Sequence, residues 1–319
     1  MNPPLPDLAH GLRIDQITTD TAEMGKLAID WRIDPIQLQP GSYRGRIRGI
    51  QTRRIQLGVC DHSISTRIVG NAPARSVVLA WCLPSSFPAS LWGRRLESRE
   101  MAILRAGEAI ASVHPGPTQL FTVAIQRPLA DEFAHSRGGA SFHSLFPHER
   151  LTSASPSGFA ATARQLLSLL DQIPPSDPPF ANAMAAEDFE RDLIAILFAR
   201  VDFISPRRQR PHRCPYARLA EIHLSQHRRQ PLDLSTVCRH LGTTPRTVQL
   251  GFRKTFGLSM KSYAQALRFN GARRELISAD FSDHSVKAVA LNWGFRHLGR
   301  FATEYHRWFG ECPSTTLAR

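Results

Sequence analysis

One short pattern occurs twice between Leu232 and Pro313, and no other feature of this 319-residue chain restricts its fold so strongly. The first copy runs Leu241-Gly242-Thr243-Thr244-Pro245-Arg246-Thr247-Val248-Gln249, then Phe252, then Phe256-Gly257. The second runs Trp293-Gly294-Phe295-Arg296-His297-Leu298-Gly299-Arg300-Phe301, then Tyr305, then Phe309-Gly310. In each, an apolar helix stops at a glycine, a short turn follows, and an aromatic-lined helix ends at Phe-Gly. Glycine suits such turns because it accepts positive φ at little steric cost. The pattern predicts two helix-turn-helix units joined by a helical stretch, and the second helix of such a unit enters the DNA major groove.

Charge falls where this reading needs it. Residues 1–206 carry 20 Lys+Arg against 20 Asp+Glu, whereas residues 207–319 carry 20 against 7, so the whole excess of +13 lies in the last third. A basic segment beside a neutral one implies a polyanionic partner for the basic part. A solvated basic surface, or attraction to anionic lipid, would leave the same charge count, and the repeated pattern is what favours DNA. The five cysteines (Cys60, Cys82, Cys214, Cys238, Cys312) are scattered with no Cys-x-x-Cys pair, the usage of reduced thiols in a cytosolic protein. Met1-Asn2-Pro3-Pro4 lacks the order of a signal peptide, and no apolar run approaches the ~20 residues of a membrane span. A soluble, cytoplasmic protein with no membrane partner is expected.

Residues 1–26 are polar and proline-marked and read as an irregular lead-in. From Leu27 to Ile125, short apolar or alternating runs (Ile47 to Val59, Ile64 to Val69, Ser76 to Leu83, Met101 to Leu104, Leu120 to Ile125) are separated by Gly, Pro and Asn. Many short strands with frequent turns predict a sandwich or barrel, and the barrel is the reading taken forward. His62, His114, His135, His143 and His148 are isolated, with no metal-binding spacing, and neither a Gly-x-Ser-x-Gly nor a phosphate-binding glycine loop occurs. His62 and His114 flank predicted turns and read as exposed. No catalytic residue, metal or cofactor is therefore assigned. A hollow barrel can hold a small molecule instead. Trp81, Phe87 and Trp92 are the candidate pocket aromatics, with plain core packing as the commoner use of such residues.

Pro128 to Phe133 begins a helix that passes through Gly138-Gly139 into a histidine-bearing connection. Phe159 to Leu170 and Ala185 to Phe203 then repeat apolar residues at helical spacing, and Pro174 to Pro179 stops the first of these helices. Such a pair either caps a barrel or packs on a second chain. The expectation taken forward is a homodimer through residues 159–203, weakened by Glu at Leu193 and Leu197. Ser205 to Pro211 is polar, basic and proline-bounded, a linker. The expected division is an effector-binding β domain (1–150), a helical dimerisation or capping segment (151–204), a linker (205–214) and an all-α domain (215–319), an α+β chain overall.

About seven helices are expected in the last part. Asp233 and Thr244 are N-caps, and Pro245 takes the first-turn position. The first recognition helix buries Val248, Phe252 and Phe256 and leaves Thr244, Arg246, Thr247, Gln249, Leu250, Arg253 and Lys254 off the core. Tyr263 to Leu276 links the units. The second recognition helix, near His297 to Phe309, buries Phe301 and Tyr305 and presents Arg296, His297, Gly299, Arg300, Thr303 and Arg307.

Leu232–Pro313 resembles the DNA-binding domain of the AraC/XylS family of bacterial transcription regulators. The resemblance is carried by Gly294-Phe295, by the spacing of Phe301 and Tyr305, by Phe309-Gly310-Glu311-Cys312-Pro313, and by the Leu267 to Arg273 run. The N-terminal part resembles, more weakly, that family's cupin-like effector and dimerisation domain. Leu250 stands where many members have Arg, and Ser259-Met260 replaces a common Ser-Pro. The resemblance implies two recognition helices in successive major-groove segments, about one helical turn or ~34 Å apart. Arg246, Gln249 and Arg300 have donor geometry for base edges, Thr303 suits a thymine methyl or a phosphate, and Arg253, Lys254, Arg296 and Arg307 suit phosphates. The expected function is a sequence-specific transcription regulator, an activator gated by a small-molecule effector, with double-stranded DNA and RNA polymerase as partners. An architectural DNA binder, or an enzyme with an appended DNA-binding domain, is the alternative.

Overall fold

Val77, Leu79 and Trp81 alternate with Val78, Ala80 and Cys82 along one strand, and only Cys82 of the six is not fully buried. A strand apolar on both faces must be covered on both faces, and that requirement sets the architecture of the N-terminal half. The computed structural model describes residues 8–83, 89–97, 100–146, 150–152, 159–199, 215–230, 232–278 and 285–318. The expected linker, 205–214, lies outside them, as does Phe87.

Twelve strands form two antiparallel sheets among the described residues. In chain order they are β1 (Leu12–Thr18), β2 (Arg32–Gln37), β3 (Gly45–Gln51), β4 (Ile55–His62), β5 (Thr66–Asn71), β6 (Ser76–Cys82), β7 (Ser90–Leu91), β8 (Arg94–Arg95), β9 (Glu100–Leu104), β10 (Ala109–His114), β11 (Thr118–Gln126) and β12 (Arg150–Thr152). The first sheet has the order β1-β3-β4-β11-β6-β9-β12 and the second β2-β5-β10-β7-β8. Helix α1 (Thr21–Leu27) bridges β1 and β2. Helices α2 (Arg127–Ser136), α3 (Phe142–Leu145), α4 (Ala160–Gln172) and α5 (Ala183–Phe198) follow the strands.

Strand parity sorts the side chains. On β4, β6, β9 and β11 of the seven-stranded sheet, Leu57, Val59, Leu79, Trp81, Met101, Ile103, Phe121 and Val123 point to one face. There they join Phe159, Leu166, Leu170, Phe189, Leu193 and Leu197 in the largest core. Cys60, Ala80, Ala102, Leu104 and Ala124 point to the opposite face, toward the five-stranded sheet.

Two expectations are corrected by this arrangement, and the reading of two helices is narrowed. The β domain is a pair of open sheets rather than a closed barrel: helices cover one face of the large sheet and the small sheet covers the other, so neither face needs closure to leave water. The apolar faces of α4 and α5 cover the chain's own seven-stranded sheet. Leu193 and Leu197 are fully buried against the chain's own sheet, so glutamate there is expected to disrupt this core. Residues 8–26 are no irregular lead-in, since they supply edge strand β1 and most of α1. Asp20 N-caps α1 by accepting from the Ala22 amide at 2.7 Å.

The C-terminal half is helical: α6 (Pro215–Gln226), α7 (Leu234–Leu241), α8 (Pro245–Phe256), α9 (Met260–Ser278), α10 (Val286–Asn292), α11 (Leu298–Phe309) and α12 (Pro313–Leu317). Helix α9 is buried on several sides, with Tyr263 and Ala266 toward α6 and α8 and Phe269 and Ala272 toward α10 to α12. At Gly271 an added Cβ would meet the Trp293 ring at 2.0–2.5 Å. In an open helix Gly→Ala stabilises by ~1 kcal/mol. Here Gly271→Ala is expected to destabilise instead, by about 1–3 kcal/mol through overpacking, read as a lower urea midpoint. A midpoint at or above wild type would show that Trp293 yields.

Candidate nucleic-acid interface and inter-sheet cavity

Both copies of the repeated pattern adopt the same local geometry. Gly242 (φ 60°) closes α7, and Gly294 (φ 76°) follows α10. Gly257 (φ 73°) and Gly310 (φ 74°) end α8 and α11. All four are left-handed, the conformation only glycine adopts at little cost. Thr244 caps α8 by accepting from the Thr247 amide, with Pro245 at the first helical position. His297 stands at the corresponding place before α11 without a side-chain cap bond.

Every residue expected to face DNA is exposed. On the first unit these are Thr244, Arg246, Thr247, Gln249, Leu250, Arg253 and Lys254, and on the second Arg296, His297, Gly299, Arg300, Thr303 and Arg307. The faces opposite hold Val248, Phe252 and Phe256 in α8 and Phe301, Tyr305 and Trp308 in α11, all buried. Leu250 is 55% exposed, an apolar side chain on an otherwise polar surface. Arg253 and Lys254 lie in the last turn of α8 and His306 and Arg307 in that of α11, where cations complement the helix dipole.

Arg300 differs from the other cations in being tethered. Its Nε donates to Glu304 Oε1 at 2.8 Å, while Gln265 Nε2 of α9 donates to Glu304 Oε2 at 2.8 Å. So exposed a pair adds little stability, but it aims the guanidinium along the outer face of α11. Glu304 was not singled out from the sequence, although its i,i+4 spacing from Arg300 was readable there. Thr303 Oγ1 donates back to the Gly299 carbonyl at 3.1 Å.

Helix α9 also docks on the β half. Asn270 Nδ2 donates to the Gln37 carbonyl at 2.8 Å, and the Gln37 amide returns a bond to Asn270 Oδ1 at 3.1 Å. Arg273 Nε donates to Asp20 Oδ2 at 2.8 Å and its Nη1 to Glu311 Oε1 at 2.5 Å. Arg274 reaches Asp34 Oδ2 and the Pro35 carbonyl. Further along the same surface, buried Arg67 of β5 pairs with buried Glu221 of α6, which also accepts from the Tyr263 hydroxyl at 3.1 Å. Isolated buried charges are costly, so the buried pairs Arg273–Asp20 and Arg67–Glu221 stay matched only while the halves keep this register.

Behind this surface, a cavity of about 90 Å³ lies between the two sheets. Met24 and Ala28 of the α1 region, Ile33 and Pro35 of β2, and Ala80 of β6 are among its walls. His62 and His114 close one end with ring centroids 5.8 Å apart. Of the sequence-predicted aromatics, the two that are described, Trp81 and Trp92, are not in this wall: Trp81 points to the helix-covered face and stacks on Phe121 at 5.1 Å. Trp92 is half-buried beside it, with its indole N–H donating to the Ala109 carbonyl. His62 and His114, read as exposed, are 3% and 2% exposed. They terminate strands whose inward parity turns them under the opposite sheet. Among the described residues, no group of three or more His, Cys, Asp or Glu is placed to hold a metal ion. No helix there is long and apolar enough to cross a membrane.

Burial holds the His62 imidazole down to about 4 and that of His114 to about 3, the second also repelled by the first. Both are therefore neutral in the folded chain over a range where the unfolded chain protonates near 6.5. Since the unfolded state binds more protons there, stability must fall as pH drops below ~6.5. For His62 alone the full loss is roughly 3 kcal/mol. Urea midpoints are expected to fall more steeply between pH 7 and pH 4.5 for wild type than for His62→Leu/His114→Leu. Parallel curves would place the acid sensitivity elsewhere.

Residues 237–319 match a family model described as a helix-turn-helix domain. The chain is 39% identical over 100 residues to the probable thc operon regulatory protein of Rhodococcus erythropolis, covering 31% of this chain and 30% of that protein. It is 31% identical over 106 residues to XylDLEGF operon transcriptional activator 3 of Pseudomonas putida, covering 33% and 32%. A solved structure of a probable AraC family transcriptional regulator from Rhodopseudomonas palustris aligns with 33% of this chain and 96% of that one, at 29% identity and a TM-score of 0.31. The chain spans about a third of the length of the curated relatives it matches. Within that span, residues 237–319 are a helix-turn-helix domain of the AraC/XylS type.

Proposed function

We propose that the chain is a sequence-specific transcription regulator whose α8 and α11 both read DNA, each as the second helix of a helix-turn-helix. The observation that carries this reading is the doubled geometry: two helices with the same glycine turns, each with its aromatic face buried and its basic, hydroxyl- and amide-bearing face free. The whole charge excess lies on this half of the chain. Residues 215–319 then form the DNA-binding unit and the β half the regulatory one. Activation by contact with RNA polymerase, gated by a small molecule, is the finer reading, supported by relatives named as an operon regulatory protein and operon activators. A ligand gates only by favouring one arrangement of the two halves, and the polar contacts from α9 to α1 and β2 offer such an arrangement.

Sequencing DNA selected from a random pool by the purified chain tests the reading. A defined bipartite motif is expected; occupancy without a motif would favour an architectural binder. Arg300→Ala is expected to cost about 1–3 kcal/mol and to relax preference at one base position. Arg307→Ala should weaken selected and random DNA alike and reduce the salt slope by about one. Equal effects of both substitutions on both DNAs would overturn the assignment of base and phosphate contacts.

A further inference from the structure

We propose that α8 and α11 each read the C5-methyl group of a thymine, through Leu250 in the first helix and Thr303 in the second. The proposal rests on the reading of both helices as DNA readers and adds the base chemistry that each recognises.

Leu250 and Thr303 hold the same place in the two units. Each lies two residues before a buried ring, Phe252 or Tyr305, and seven before the glycine that ends its helix, Gly257 or Gly310. An exposed leucine is ordinary by itself; its neighbours set this one apart. Residues three and four positions away share its helix face, and these are Arg246, Thr247, Arg253 and Lys254, all exposed. Leu250 stands 55% exposed among them, an apolar group in the middle of a polar, cationic surface.

Thr303 reaches the same chemistry by another route. Its Oγ1 donates its hydrogen to the Gly299 carbonyl at 3.1 Å, so the γ-methyl is the part of the side chain left unengaged. Gly299 itself, one turn earlier, has no packing reason to be glycine: an added Cβ would meet no packed neighbour within 4 Å. Glycine inside a helix is less stable than alanine, and the chain gains no close contact in return. Its bare backbone leaves clear space beside the Thr303 methyl, room for a base edge.

The major groove holds one match for two such groups. Thymine alone carries a methyl group there, while the other base edges present donors and acceptors that a leucine cannot satisfy. Cations around the methyl-bearing residues fix the register through phosphates, and removing the facing methyl groups from water discriminates between bases.

The test uses the full chain and the DNA it selects from a random pool. Each thymine of the selected site is replaced in turn by deoxyuridine, which pairs as thymidine does and lacks only the methyl group, and affinity is read by fluorescence anisotropy. One thymine in each segment, the two about one helical turn apart, is expected to lose roughly fourfold in affinity, the effect of one methyl group left unburied. Leu250→Ala should erase the loss at one of these thymines and leave the other. Thr303→Ser, which keeps the hydroxyl, should erase the loss at the second, and Thr303→Val, which keeps the methyl, should preserve it. A site indifferent to deoxyuridine at every thymine, losses unchanged in Leu250→Ala or in Thr303→Ser, or a loss that vanishes in Thr303→Val would overturn the proposal and leave the regulator reading intact. A chain that selects no motif at all would overturn the regulator reading, and this proposal with it.

Discussion

Replacing Phe269 with alanine is expected to lower stability by about 3–5 kcal/mol and to abolish DNA binding. Phe269 is fully buried in the middle of α9, with ring centroids of Phe295 at 4.7 Å, Trp308 at 5.3 Å, Phe301 at 6.0 Å, and Tyr305 and Phe309 at 6.5 Å. Those five rings come from α11 and the turn before it. Removing their common neighbour leaves a void that none can fill without breaking its own contacts, so the loss includes both transfer and cavity contributions. Circular dichroism during urea unfolding reads the stability, and a mobility shift with selected DNA reads the function. A loss below ~1 kcal/mol would mean that the aromatic cluster repacks around the gap.

The second large effect is expected at Arg67. Its guanidinium is 4% exposed, pairs with Glu221 across the boundary between the halves, and sits 5.9 Å above the Tyr263 ring. Arg67→Met leaves Glu221, itself 5% exposed, with only the Tyr263 hydroxyl, a change that costs about 3–5 kcal/mol when a buried pair is broken on one side. Arg67→Met/Glu221→Leu removes both charges and should recover most of that loss, because a buried pair contributes little net stability over apolar groups of similar size. Urea midpoints and hydrogen exchange in β5 and α6 distinguish the two chains. Equal losses in the single and double variants would assign the cost to packing rather than to the stranded carboxylate.

What the sequence made legible is mostly local. Asp233 and Thr244 mark helix starts through bonds to residues two or three positions away and Pro245 through its fixed φ, and the structure places them so. Helices α8 and α11 follow from the spacing of Val248, Phe252 and Phe256 and of Phe301 and Tyr305, because a 3.6-residue period needs no knowledge of the partner. The β half depends on partners instead. Trp81 is a pocket candidate as well as a core residue in the sequence, because a run apolar on both faces does not announce which parity faces the helices. For His62 and His114, closeness to a turn concealed inward parity at a strand end. Helices α4 and α5 displayed apolar faces without saying whether their own sheet or another chain would cover them. Asp20, Gln37 and Asn270 lie more than 230 positions from their partners, beyond any short-range pattern.

Helix α9 has a consequence for the DNA rather than for the protein. It is 19 residues long, a rod of about 28 Å, and it packs against both helical units and β2. On the proposed reading it works as a fixed ruler between two readers. Successive major-groove segments recur every ~34 Å along B-DNA, and adding one base pair between them both lengthens the gap and rotates one segment away from its helix. A promoter can therefore drift by base changes within either segment, losing affinity in small steps. A single inserted or deleted base pair between the segments disengages one helix at once, so the spacing of the site should tolerate less change than its letters.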